Sequence, residues 1–129
     1  MSPIPSGTEL VRPFLPSQDF VLSKRFYEAL GFEKIFDGEV AIFEMGSSGF
    51  ILQNYYQKNW AENSMVQLLV DDLDAWWSHI ETLDLPAHFG VQAPNPPGLQ
   101  PSGLPVVFLF DPCGVLWHVA QRHEDVAQD

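Results

Sequence analysis

The side chains that could bind a ligand or catalyse a reaction are four polar residues in otherwise apolar predicted strands: Arg12, Glu44, Gln53 and His118. Their chemistry is recognition by charge and hydrogen bonding, since an arginine grips an anionic group and an imidazole both donates and accepts. A histidine on an apolar strand face is also often a hydrogen-bonded core group. Structural and ligand-facing roles therefore both stay open for His118, and Arg12 either pairs with an acid or contacts a ligand.

Three aromatic residues, Tyr55, Tyr56 and Trp60, follow the last strand predicted for the first half of the chain. Aromatic faces supply contact area and stacking to a bound ligand. Large aromatic residues also join packed structural units, and that purely structural role is at least as common. The cluster therefore predicts either the mouth of a pocket or a staple between the two halves.

The single cysteine, Cys113, predicts a reduced thiol. One cysteine cannot form an internal disulfide, and no histidine or acid lies at the spacing that would make Cys113 a nucleophile. The sequence starts without a basic segment followed by an apolar run, and it holds no stretch of eighteen apolar residues. We therefore expect a cytoplasmic protein that is neither secreted nor inserted in a membrane.

The net charge of the chain limits which classes of binding partner we expect. Seventeen acidic against six basic residues give a formal charge of −11. Nucleic acids and anionic membrane surfaces attract the opposite sign, so we expect neither as a partner. A cationic partner fits the charge, although acidity alone also keeps a protein in solution.

The predicted strands and helices that position these residues occur as two copies of one sequence pattern. The segment that starts at Leu15 is echoed by the one at Leu68, an offset of 53, so that Asp19 falls on Asp72 and Leu30 on Leu83. Such a repeat predicts two copies of one supersecondary unit with a cleft between them. A length of 129 residues and an apolar content of 46% permit one domain.

Each unit is expected to have the order βαβββ. In the first, strands are predicted at 9–15, 32–36, 40–45 and 50–55, with a helix that Ser17 or Asp19 caps and Gly31 ends; its apolar face is Leu22, Phe26, Ala29 and Leu30. In the second, strands are predicted at 65–70, around 87–90, at 106–110 and at 115–120, with a helix at 73–83. The last two strands form a hairpin around Asp111-Pro112-Cys113-Gly114.

Residues 91–105 predict a long structured loop. Its five prolines exclude a central strand or a helix. Long loops of this kind are often lids or binding loops. A proline-stiffened spacer that crosses the sheet edge is an equal alternative, and the sequence does not fix the conformation between Pro94 and Pro105.

Together, the paired βαβββ units, the Leu15-Pro16-Ser17-x-Asp19 segment that leads to Phe26-Tyr27-x-x-Leu30-Gly31-Phe32, and the closing Asp111-Pro112-x-Gly114 hairpin carry a family resemblance. Over residues 9–121 the chain resembles the vicinal oxygen chelate superfamily, which includes glyoxalases, extradiol dioxygenases and bleomycin resistance proteins. The resemblance implies an α+β fold in which two tandem modules, at about 9–60 and 64–121, form a curved mixed sheet around a cleft. It also implies a homodimer with pockets at the shared interface.

The metal-dependent enzymes of this superfamily bind a divalent ion through one side chain from each of four strands. The resemblance places Arg12, Gln53, Met65 and His118 at those positions. Arginine repels a cation, and a thioether is a poor ligand for hard or borderline metals. We therefore expect neither a metal nor another cofactor.

The resulting prediction is a small-molecule binding protein of the bleomycin resistance type, which sequesters a cationic aromatic antibiotic or similar ligand without a metal. The predicted ligand-binding residues are Tyr55, Tyr56, Trp60, His118, Gln53, Glu44 and Arg12. The alternative is a glyoxalase- or dioxygenase-like enzyme with a metal held by His118, Gln53 and an acid such as Glu44. A third possibility is a pocket for an unrelated hydrophobic metabolite.

Overall fold

The computed structural model of the chain describes residues 4–99 and 105–122, with two four-stranded mixed sheets and four helices among them. In chain order the elements are β1 (Phe14–Leu15), α1 (Phe20–Leu30), β2 (Glu33–Asp37), β3 (Val40–Met45), β4 (Ser48–Gln53), α2 (Lys58–Glu62), β5 (Met65–Val70), α3 (Leu73–Leu83), α4 (Leu85–Phe89), β6 (Asn95–Leu99), β7 (Pro105–Phe110) and β8 (Leu116–Gln121). The strand orders are β1-β4-β3-β2 and β5-β8-β7-β6, and β1 and β5 run parallel to their neighbours. The predicted α+β fold of two tandem modules is confirmed.

The sequence repeat corresponds to matching helix starts. Asp19 accepts a hydrogen bond from the Leu22 amide at 3.1 Å, and Asp72 accepts one from the Ala75 amide at 3.0 Å. Each aspartate therefore satisfies a free amide in the first turn of its helix. Of the two residues proposed to cap the first helix, Asp19 is the cap, whereas the Ser17 hydroxyl donates to the Gln53 carbonyl oxygen at 2.6 Å.

A single core joins the two modules on the helix-facing sides of the sheets. The Tyr27 ring of α1 lies 4.7 Å from the Phe50 ring of the first sheet and 5.6 Å from the Trp117 ring of the second. Tyr27 is completely buried, although the predicted apolar face of the helix did not include it. The opposite sides of both sheets therefore point away from this shared core.

The first strand is shorter than predicted. The sequence indicated 9–15, whereas β1 contains only Phe14 and Leu15. Pro13 has no amide hydrogen to continue a ladder, although its carbonyl oxygen accepts a hydrogen bond from the Ile51 amide at 2.9 Å. At Pro13 the chain is therefore hydrogen-bonded to the sheet through its carbonyl oxygen alone.

The short strand predicted around 87–90 is wrong, because this segment belongs to α4. Pro86 lies in the first turn, where its missing amide hydrogen costs nothing. The helix ends at Gly90, which has a φ of 69°. The second module thus contains one more helix than the βαβββ pattern predicted.

The loop predicted for 91–105 is wrong over Asn95–Leu99, which form β6. This strand lies at the edge of the second sheet and pairs with β7 in an irregular register. An edge strand tolerates Pro96 and Pro97 because it needs hydrogen bonds on one side only. Residues 100–104 of the predicted loop lie outside the described residues.

The remaining predicted strands and the helix at 73–83 begin and end within two residues of the observed elements. The short helix α2, which contains Trp60, was not predicted. Within the part of the chain that the structure describes, no helix combines the length and the apolar character needed to cross a bilayer.

Candidate functional site

The side of the first sheet turned away from α1 exposes a mixed polar and apolar surface. We define this first open face by the residues that alternate with the buried core positions: Phe14, Val40, Ile42, Glu44, Ile51 and Gln53, with Arg12 at its border. Phe14 keeps 51% of its surface exposed. A sheet face with a large exposed aromatic side chain is a candidate for contact with a ligand or another chain.

An ion pair forms one end of this face. The Arg12 Nη2 atom donates to Glu44 Oε2 at 2.6 Å, and both side chains are about 30% exposed (30% and 28%). Glu44 lies opposite Gly49 in the β3–β4 ladder, and a Cβ at Gly49 would approach the Phe43 carbonyl oxygen to 2.5 Å. The Arg12 Nε atom is buried without a hydrogen-bond partner within the described residues. Glu44 therefore neutralises the charge of Arg12, while the Nε–H group of Arg12 donates to no described residue.

Gln53 lies on the same face but far from this ion pair. It is paired with Val40, four positions along β4 from Gly49. At about 3.3 Å per residue, that separation is about 13 Å. The structure therefore brings Arg12 and Glu44 together and leaves Gln53 at the other end of the face.

The second sheet exposes a corresponding surface on the side away from α3. We define this second open face by Met65, Gln67, Leu69, Phe108, Leu116 and His118. Met65 and Leu69 are 68% and 54% exposed. This face is more apolar than the first, and its polar groups are Gln67 and His118.

His118 occupies the middle of the second open face. It pairs with Gln67 on one side and Phe108 on the other, and its ring meets the Phe108 ring edge to face at 4.8 Å between centroids. The Nε2 atom is buried, and no described residue forms a hydrogen bond with it. Buried polar atoms of native proteins nearly always form a hydrogen bond. The described residues supply no such bond to this nitrogen.

The registers of the two sheets test the four strand positions that the superfamily uses for a metal. In the second sheet Met65 lies opposite Leu116, and His118 follows two residues later. Leu15 lies opposite Leu52 in the first sheet, and its repeat counterpart Leu68 lies opposite Val119 in the second. Ile51, one residue before Leu52, is therefore the counterpart of His118. Gln53 is thus one pleat repeat beyond the equivalent position.

These residues do not fit a divalent ion. An isoleucine has no donor atom, and the Arg12 guanidinium is already paired with Glu44. Met65 offers only a thioether, which leaves His118 as the one ordinary ligand of the four. Among the residues that the structure describes, no three histidine, cysteine, aspartate or glutamate side chains come together.

The aromatic cluster divides between two environments. The Tyr55 and Trp60 rings lie 6.2 Å apart, and Tyr55 is 51% exposed. Tyr56, in contrast, packs against the hydrophobic core. Tyr55 and Trp60 thus form an accessible aromatic pair where the first module leads into the second, while Tyr56 has the stapling role.

A buried polar network connects the modules behind the open faces. The Tyr27 hydroxyl donates to Asp111 Oδ2 at 2.6 Å and accepts from Trp117 Nε1 at 3.1 Å. Three amides of the hairpin turn, those of Cys113, Gly114 and Val115, donate to Asp111 Oδ1. Burial raises the pKa of the Asp111 carboxyl, and the hydrogen bond from Tyr27 opposes that rise. This network is structural, since its members lie in the core.

Cys113 lies in the same buried turn. Burial, followed by the nearby Asp111 carboxylate, raises the pKa of its thiol to about 12. At neutral pH the group is therefore a thiol, which is a poor nucleophile.

The sequence analysis missed the apolar part of both open faces, which includes Phe14, Met65 and Leu69. The signal was present, because side chains of a strand alternate between two faces. The helices cover only one face of each sheet. Large apolar side chains on the opposite face therefore lie outside the shared core.

Comparison with known proteins gives structural matches only; no family model and no curated protein sequence matches the chain. A bleomycin-binding protein solved in complex with bleomycin has a TM-score of 0.76 and 28% identity, over 90% of this chain and 100% of that one. The bleomycin resistance determinant encoded on transposon Tn5 gives 0.73 and 27%, over 90% and 99%. A lactoylglutathione lyase from Agrobacterium tumefaciens shares the fold at 0.62 and 19%, over 92% and 95%.

Proposed function

We propose that the chain belongs to the vicinal oxygen chelate superfamily, as its likeness to bleomycin-binding proteins supports, and that it sequesters a small organic ligand in the manner of the bleomycin resistance proteins. The observation that carries this proposal is the pair of open faces, on which large apolar side chains remain exposed on sheets that the chain's own helices cover on one side only. A pocket lined by such surfaces and by a few polar groups is typical of small-molecule sites.

Two copies of the chain are needed to enclose the ligand. Both helix-facing sides contribute to one core, so the open faces lie on its outer sides and leave Phe14, Met65 and Leu69 exposed. Placing the first open face of one copy against the second open face of another would cover these residues. The proposed assembly is therefore a homodimer with pockets between the two chains, and the free thiol of Cys113 supports a cytoplasmic location.

The unpaired polar atoms support ligand contact. Arg12 Nε and His118 Nε2 each lack a hydrogen-bond partner within the described residues, and a bound molecule with complementary groups would supply one. Tyr55 and Trp60 offer aromatic surface for stacking. The net charge of −11 raises the encounter rate for a cationic ligand, which fits bleomycin-like antibiotics.

The donor chemistry of these positions supports sequestration without a metal. Arg12, Ile51 and Met65 do not supply ordinary metal ligands, which leaves His118 as the one ordinary ligand at the four positions among the described residues. The rival hypothesis of a metal enzyme rests on one specific observation, the unpaired Nε2 atom of His118.

Calorimetric titration with metal-free bleomycin and with its copper complex tests the proposal. Each should bind the protein after chelator treatment, with one ligand per chain. The Arg12→Lys variant keeps the charge but loses the planar donor set, and we expect it to weaken binding. Its control is Lys24→Arg, since Lys24 pairs with Asp37 away from the open faces. No heat at high micromolar ligand would refute the antibiotic as ligand.

A further inference from the structure

A cavity on the helix side of the sheets lies between the end of α1 and the start of α3. It has a volume of about 410 Å³, and two other cavities lined by described residues measure about 250 and 80 Å³. Its walls are formed by Leu30, Gly31, Met45, Ala75, Trp76 and His79. A volume of this size falls within the range of small-molecule sites.

Small residues open this cavity. Gly31 has a φ of 127°, which a residue with a side chain rarely adopts, and it ends α1. The nearest side-chain atom to a Cβ built there is the Met45 Cε atom, at 3.6 Å. Ala75 contributes only a methyl group from α3. The space between the two helices is therefore set by two residues with little or no side chain.

The polar groups on the wall are electron-rich. The His79 Nε2 atom lies 2.9 Å from the Leu30 carbonyl oxygen. A carbonyl oxygen only accepts, so Nε2 carries the hydrogen, and Nδ1 of the neutral ring is an acceptor that no described residue uses. Leu30 is the last residue of α1, whose final turn contains no basic residue. The negative end of the α1 dipole therefore faces this region, and the Asp72 carboxylate offsets the positive end of the α3 dipole beside it.

A carboxylate and an aromatic ring also make the surroundings of the cavity favourable for a cation. Asp72 Oδ1 accepts from the Ala75 amide at 3.0 Å, so this exposed carboxylate lies next to the backbone of a residue that lines the cavity. The Trp76 ring stands at 84° to the His79 ring, with 5.4 Å between centroids. Indole rings and carboxylates both attract cations, and no lysine or arginine lines the cavity.

We propose that this cavity between α1 and α3 is a second binding site, which takes a small organic cation with a flat apolar body, such as an arylalkyl ammonium. The apolar body would contact Leu30, Met45 and Trp76, and the ammonium group would lie near Asp72 and the end of α1. The site is separate from the open faces, because both helices pack on the other side of the sheets. Its two walls come from different modules, so an occupant would contact both.

The test compares three probes of similar shape by nuclear magnetic resonance of the isotope-labelled full chain: 2-phenylethylammonium, 2-phenylethanol and 3-phenylpropanoate. The cation should shift the amide signal of Gly31 and the indole signal of Trp76. It should bind about threefold or more tightly than the alcohol, and the carboxylate more weakly than both. Equal affinity of the cation and the alcohol, or no shift of either signal at millimolar concentrations, would overturn the proposal.

Two variants of α3 sharpen the test. Asp72→Asn keeps a side chain that caps the helix but removes the charge, so the preference for the cation over the alcohol should fall by about twofold to fivefold. Ala75→Leu places a larger side chain in the cavity and should weaken binding of all three probes. Ser78→Leu adds the same side chain at an exposed position of α3 that does not line the cavity, and it should bind them normally. Unchanged binding by Ala75→Leu would contradict the assignment.

Discussion

Replacing Tyr27 by phenylalanine removes the hydroxyl that connects the two modules inside the core. That hydroxyl donates to Asp111 at 2.6 Å and accepts from Trp117 at 3.1 Å, and all three residues are at most 2% exposed. The variant loses a hydrogen bond to a carboxylate, which is typically about 1.5–3 kcal/mol, and leaves the Trp117 donor unpaired, at about 1–3 kcal/mol. Since the two losses share one group, we expect the free energy of unfolding to fall by about 3 kcal/mol.

The loss should depend on pH in a definite direction. Burial raises the pKa of Asp111 above its unfolded value, and Tyr27 limits that rise. The folded state therefore binds more protons between the two pKa values, and stability falls as the pH rises through that window. Without Tyr27 the folded pKa rises further, so the destabilisation of the variant should be larger at about pH 7 than at about pH 4.5.

Urea unfolding followed by circular dichroism measures both effects. A loss of about 3 kcal/mol lowers the midpoint by about 2 M for a domain of this size. Tyr56→Phe is the matched control, because the Tyr56 hydroxyl forms no hydrogen bond with any described residue; it should change stability by less than about 0.5 kcal/mol. Equal losses in the two variants, or a loss for Tyr27→Phe that does not vary with pH, would refute this account of the network.

Three further predictions concern the β3–β4 ladder, the thiol and the proposed ligand. Gly49→Ala should lower the free energy of unfolding by about 1–3 kcal/mol, because the added Cβ meets the Phe43 carbonyl oxygen at 2.5 Å; urea unfolding measures this, and wild-type stability would contradict it. Cys113 should react with a disulfide reagent only after denaturation, since its thiol has a pKa of about 12; rapid labelling of the folded protein would show otherwise. Trp60→Ala should weaken bleomycin binding in calorimetry by about tenfold, and an unchanged affinity would exclude Trp60 from the site.

Local signals in the sequence were sufficient for most of the fold. Asp19 and Asp72 cap their helices through contacts within three residues, and Gly31 ends α1 through its own dihedral angle. Such features depend on neighbours in the chain, so residue type and spacing reveal them. The hairpin at Asp111 is predictable for the same reason.

The features that were missed depend on pairing between distant parts of the chain. Whether Gln53 or Ile51 corresponds to His118 is set by the β1–β4 register, and a shift along a strand changes which side chains are neighbours. The buried hydroxyl of Tyr27 is satisfied by Asp111, which lies 84 positions away and accepts its hydrogen bond. Two segments that contain proline, at 85–89 and 95–99, form a helix and an edge strand, because a first helical turn and an edge each need fewer amide hydrogens.

Native mass spectrometry of chelator-treated protein mixed with metal-free bleomycin tests the central claim most directly, because it reports chain number, ligand number and metal in one spectrum. The account predicts a species of two chains that carries two ligand molecules and no additional metal mass. A protein that stays monomeric and unliganded, or one that binds only after nickel, zinc or iron is restored, would contradict sequestration between two open faces.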